Sequence, residues 1–168
     1  MHQLLLVGLT NDDDDALIDL LNDAMKPLTM CEHCGNGEFD WWKLGGRWKG
    51  LLSPGYDRET DPEHFDTCNL CSGTGVRPGG LEQFGQAWFD GCNGCNGCNG
   101  TGRMQVWPTR WAPHPDDILR VADLPGRLPN WDQITVVCGG VLFRDVEVSH
   151  AYQLLGGCDW VAVVDAHW

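Results

Sequence analysis

Two short stretches of this 168-residue chain space their residues for metal chemistry. Cys68-Asn69-Leu70-Cys71-Ser72-Gly73-Thr74-Gly75 and Cys95-Asn96-Gly97-Cys98-Asn99-Gly100-Thr101-Gly102 both read C-x-x-C-x-G-x-G. Two residues between thiolates let both sulfurs grip one ion at about 2.3 Å, and the glycines that follow permit a tight turn aiming backbone N–H groups at sulfur. Two such knuckles supply four sulfur ligands and leave no position for water or substrate, which predicts a structural zinc ion. The competing chemistry for a C-x-x-C pair is thiol–disulfide exchange. A third pair, Cys31-Glu32-His33-Cys34-Gly35-Asn36-Gly37, lacks one position before its first glycine. With Cys92 and either His64 or His33 it forms a candidate second site of three thiolates and one imidazole. Cys138 and Cys158 stand alone and are expected to be small buried hydrophobes.

The repeated knuckle resembles the cysteine-rich region of DnaJ-type chaperones, over Cys68 to Gly102 only. The resemblance implies zinc ligation by Cys68, Cys71, Cys95 and Cys98. It does not extend to the J-domain, because the His114-Pro115-Asp116 string lies downstream of the zinc region, at the start of an expected helix.

The segment Asp40-Trp41-Trp42-Lys43-Leu44-Gly45-Gly46-Arg47-Trp48-Lys49-Gly50 packs three tryptophans and a Gly-Gly-Arg turn into eleven residues. An arginine held between indoles can stack while its fork stays open to a carboxylate or phosphate, so Trp41, Trp42, Arg47 and Trp48 form a candidate binding site for an anionic, planar or peptide ligand. In the alternative reading the indoles plug a gap beside the sheet, with Arg47 paired to an acid. The Asp-Trp-Trp-x-x-Gly-Gly-Arg-Trp box, the two knuckles and the terminal Val163-Val164-Asp165-Ala166-His167 together resemble a group of uncharacterised proteins of actinobacterial phages. That resemblance implies a phage-encoded accessory protein and brings no activity with it.

Asp165 and His167 sit two apart on an expected strand, hence on one face, and are the best candidates for a catalytic carboxylate–imidazole pair beside Arg47. A glycine-rich phosphate loop, a nucleophile elbow and an H-E-x-x-H motif are all missing.

These residues need elements to hold them. Gln3 to Leu9 reads as a buried strand; Thr10-Asn11 and the four aspartates after them read as a helix start, with Ala16, Leu17, Leu20, Leu21 and Ala24 at helical spacing until Pro27. From Cys31 to about Pro115, glycine, proline, tryptophan and cysteine replace periodicity. Pro115 to Val121 is expected to be a short capped helix, Gln133 to Val137 a strand, Gly139-Gly140 a hairpin turn into a strand over Val141 to Val148, and Trp160 to Asp165 a final strand. The expected fold is α+β: a small mixed sheet with one or two helices built from residues 1–30 and 115–168, and a loop-rich zinc-binding insertion over 31–114.

Twenty-four acids against eleven lysines and arginines leave a formal charge of −13, spread as −8 over residues 1–40, zero over 41–110 and −5 over the remainder. Such a surface repels a phosphate backbone, which disfavours duplex nucleic acid and favours a host protein with a basic surface as partner. No run of about 18 apolar residues is present, so the expected setting is the cytoplasm without membrane attachment, where paired cysteines bind metal rather than form disulfides. These readings converge on a zinc-stabilised, non-enzymatic adaptor or inhibitor. Two other classes stay open: a single-strand nucleic-acid or nucleotide binder using the Trp/Arg box, and a small enzyme using Asp165 and His167.

Overall fold

The computed structural model describes residues 1–11, 14–32, 34–77 and 94–168. The chain divides into two compact units, Met1–Arg58 with Ala112–Trp168, and Glu59–Trp111. The fold class is α+β, as expected.

The first unit is a six-stranded mixed sheet. Its strands are β1 (His2–Leu9), β2 (Trp41–Leu44), β5 (Ile118–Arg120), β6 (Ile134–Cys138), β7 (Val141–Val146) and β8 (Trp160–His167). They run in the order β2-β8-β1-β6-β7, with β5 also paired to β8. Only the β1–β6 pairing is parallel. The two central strands, β1 and β8, are apolar over Leu4 to Val7 and Val161 to Val164 because both faces are covered there. On one face Leu4, Leu6, Val136, Val161 and Val163 pack with Leu52, Leu124 and the inner side of helix α2 (Val148–Leu155). On the other, Leu5, Val7, Ala162, Val164 and Ala166 pack with Leu21 and Met25 of helix α1 (Leu17–Met25) and with Phe39. Gly139 and Gly140 both take positive φ in the β6–β7 turn, the conformation a two-residue hairpin demands.

Four expectations need correction. The first unit reaches into residues 31–58, because Trp41 to Leu44 pair with Val164 to His167 and extend the sheet. The expected helix at 115–121 is a single 3-10 turn (Pro115–Asp117) followed by β5, whose Ile118 to Arg120 pair with the stretch of β8 beyond the reach of β2. Helix α1 begins at Leu17 without a side-chain cap, and Asp14 and Asp15 lie in the 3-10 turn before it. Asp12 and Asp13 lie outside the described residues. The strand expected over Val141 to Val148 ends at Val146, and Val148 opens α2 after an extended Glu147. No helix among the described residues is long and apolar enough to cross a membrane.

The second unit carries a two-stranded antiparallel ribbon, β3 (Phe65–Thr67) with β4 (Arg103–Gln105), which leads into and out of the cysteine knuckles.

Candidate metal centre and ligand cleft

Both knuckles fold by the same local bonds. Gly73 N–H donates to the Cys68 carbonyl and Thr74 N–H to that of Cys71; Gly100 and Thr101 repeat this on Cys95 and Cys98. The Thr74 and Thr101 hydroxyls close each turn by donating to the Cys71 and Cys98 carbonyls at 2.7 and 2.6 Å. The knuckles then interlock, Cys95 N–H donating to Gly75 O at 2.6 Å and Cys68 N–H to Gly102 O at 2.8 Å. Glycine is required at this seam, because a Cβ on Gly75 would lie 2.3 Å from Gly100 O and one on Gly102 2.2 Å from Gly73 O. The turn requirement was readable from the motif; the reciprocal contact between the two copies was not.

This interlock gathers four buried sulfurs within 4.8 Å of one another. Cys68 and Cys95 are 3.8 Å apart, Cys71 and Cys98 3.7 Å. A tetrahedral ion with sulfur at about 2.3 Å sets its ligands about 3.8 Å apart, whereas a disulfide requires about 2.05 Å. The donor set therefore fits a four-thiolate metal centre. Burial pushes the Cys68 thiol up to about 11. Burial also pushes Cys98 up, but the Gly102 N–H, 3.2 Å from its sulfur, and hydrogen bonds with the neighbouring thiols outweigh it and bring Cys98 down to about 7. The Cys98 sulfur is thus prepared as a thiolate before that of Cys68.

Cys31 and Cys34 are exposed on a turn in which Gly35 N–H donates to Cys31 O. Cys92 and His33 lie outside the described residues. His64 is fully buried, its ring stacked 3.5 Å from that of Trp111 and its Nε2 3.5 Å from Asp61. Among the described residues the four-sulfur cluster is the one group of three or more potential metal ligands.

The Trp/Arg box is clasped by two buried carboxylates. Asp165 accepts from Arg47 N–H at 3.0 Å, and Asp117 accepts from the N–H groups of Gly50 and His114, both at 2.7 Å. Burial raises the Asp117 carboxyl above the usual range, against the pull of those two N–H groups and the nearby His114 and Lys49 charges. The Gly45-Gly46 pair exists for these acids. Both residues take positive φ, and a Cβ would lie 2.1 Å from Asp117 Oδ2 at Gly45 and 2.5 Å from Asp165 Cβ at Gly46.

The three indoles of the box do not share a surface. Trp42 packs into the α1 side of the sheet. Trp41 stacks on His167 with ring centroids 5.2 Å apart. Trp48 packs on the α2 side and meets Trp131 edge to face at 5.7 Å. Arg47, Trp48 and Lys49 line an open cleft of about 370 Å³ together with Ser53, Tyr56, Arg58 and Trp131. Arg58, Tyr56 and Trp131 were not singled out in the sequence, since only the fold brings residue 131 to the box.

Asp165 and His167 do share a strand face, yet each has another partner. Asp165 bonds His2 Nδ1 at 2.8 Å, and His167 Nδ1 lies 3.3 Å from Asp40. Cys138 and Cys158, read as isolated, bring their sulfurs to 3.4 Å from each other, both half-buried. Compared with protein-family models, curated proteins and solved structures, the chain finds no match.

Proposed function

We propose that this protein is a zinc-ordered adaptor or inhibitor that binds a partner without transforming it. The observation that carries this reading is the enclosure of all four sulfurs of the cluster. Four thiolates fill a tetrahedral shell, and zinc held so gives folding free energy to a glycine-rich segment rather than a coordination site to a substrate. The dispersal of the candidate catalytic pair among other partners agrees with a binding role. The formal charge of −13 favours a partner with a basic surface, and the resemblance of the Trp/Arg box, the two knuckles and the terminal strand to actinobacterial-phage proteins points to a host protein as that partner.

Affinity capture from an actinobacterial extract tests this, with the zinc-loaded chain as bait and salt as the variable. A specific host protein is expected to be retained at low salt and released as ionic strength rises, and a Cys68→Ser bait is expected to lose it if the zinc unit makes the contact. Recovery of nothing above the level of an unrelated protein of equal charge contradicts the reading.

A further inference from the structure

In a chain with 24 acids, three of the eleven basic residues, Arg47, Lys49 and Arg58, converge on one cleft, and none of the residues lining it is a carboxylate. Elsewhere in the same unit Arg120, Arg127 and Arg144 are paired with Asp14, Asp116 and Glu38. Among the described residues Arg47 and Arg58 have no such partner: the guanidinium of Arg58 reaches only the Arg47 carbonyl, at 3.5 Å, and the buried Arg47 Nε has no acceptor. A buried donor left without an acceptor costs free energy unless a ligand supplies one. The indole Nε1 of Trp48, on the same wall, is likewise buried without an acceptor. The other walls are flat rings, Trp131 set edge to face against Trp48, and Tyr56 lying over Gly50. At about 370 Å³ the cleft is within the range of about 300–1,000 Å³ typical of small-molecule sites.

We infer that this cleft binds a nucleoside phosphate, with the phosphate on the guanidinium groups of Arg47 and Arg58 and the base against Trp48 and Trp131. Guanidinium forks match phosphate oxygens in pairs, and indole faces accept any base without reading its edge. The surrounding negative charge opposes a long phosphate backbone, so a single nucleotide fits better than an extended strand. The inference goes beyond the adaptor reading, and either can fail alone.

Calorimetric titration of the zinc-loaded full chain tests it, with adenosine 5′-monophosphate, adenosine 5′-triphosphate, inorganic phosphate, a short single-stranded oligonucleotide and an acidic peptide as separate probes. The nucleotides are expected to bind, and Arg58→Ala, an exposed change that leaves the core intact, to weaken them about tenfold, the cost of one charge-assisted contact. Arg47→Ala is expected to do the same. Trp131→Ala is expected to weaken nucleotide binding while leaving the weaker binding of inorganic phosphate unchanged. Binding of the oligonucleotide no tighter than the mononucleotide supports a free nucleotide as the ligand; much tighter binding overturns that choice. Inorganic phosphate binding as tightly as nucleotide, the acidic peptide binding in place of nucleotide, or no nucleotide binding at about 1 mM overturns the inference, and none of these results bears on host-protein capture.

Discussion

Asp165 Oδ1 lies 2.8 Å from His2 Nδ1, across 163 positions of sequence, and the other oxygen of the same fully buried carboxylate accepts from Arg47 N–H. One side chain thereby ties β1, β8 and the Gly-Gly turn together. Asp165→Ala strands both donors and is expected to cost about 1–3 kcal/mol. Gly46→Ala drives a Cβ against Asp165 at positive φ and is expected to cost a similar amount. For a chain of this size each kcal/mol lowers the melting temperature by about 2–4 °C, so thermal unfolding checks both. An unchanged melting temperature in Asp165→Ala contradicts the clasp.

The knuckle seam makes a separate prediction. Gly75→Ala and Gly102→Ala each push a methyl into a carbonyl of the opposite knuckle, whereas Gly139→Ala meets nothing within 4 Å and strains only its turn. The first two are expected to reduce metal retention, and Gly139→Ala to cost only about 1–2 kcal/mol of sheet stability with retention intact. Metal retention in a competition with a chromogenic chelator separates the two effects.

Cys138 and Cys158 are poised to join. Hydrogen peroxide takes two electrons from the thiol pair, giving one disulfide and two waters by way of a sulfenic acid. Burial first, then the hydrogen bond with Cys138, pushes the Cys158 thiol up to about 11, so the reaction is expected to speed up with pH. Mass spectrometry of the peptides should find 138 linked to 158 with the loss of two hydrogens, and Cys158→Ser should abolish the link. Gly8 leaves room for this pair, since a Cβ there would lie 2.5 Å from Cys158 Sγ.

Acid should release the metal. With its folded value lowered to about 7, Cys98 favours the fold as thiolate; that contribution is fully present above the ordinary thiol value near 9 and is lost as pH falls through 7. Cys68, raised to about 11, favours the fold as thiol, a contribution lost above 11. At neutral pH zinc must therefore displace protons, and its affinity falls as pH falls. Zinc measured with a metallochromic indicator is expected to stay bound above pH 7 and to leave progressively below it; retention unchanged down to about pH 4 contradicts four-thiolate ligation.

The legible parts of the sequence are those whose signal is local. The apolar run of β8, the Gly139-Gly140 turn and the four knuckle cysteines each announce themselves within eight residues. What stayed hidden depends on distant partners. Trp41 to Leu44 form a strand only because β8 offers an open edge, and Ile118 to Arg120 abandon an expected helix for the same reason. The Gly-Gly turn can be read as flexible from sequence, but its need for glycine comes from Asp117 and Asp165, more than 70 positions away. Cys138 and Cys158 looked solitary because twenty residues separate them.

Four thiolates and one zinc ion are expected to hold the two knuckles together, and elemental analysis of the purified chain beside Cys95→Ser is the direct test. The wild type is expected to hold zinc in stoichiometric amount and Cys95→Ser to hold one equivalent less. A wild-type chain without stoichiometric metal, or a Cys95→Ser chain with undiminished zinc, contradicts it.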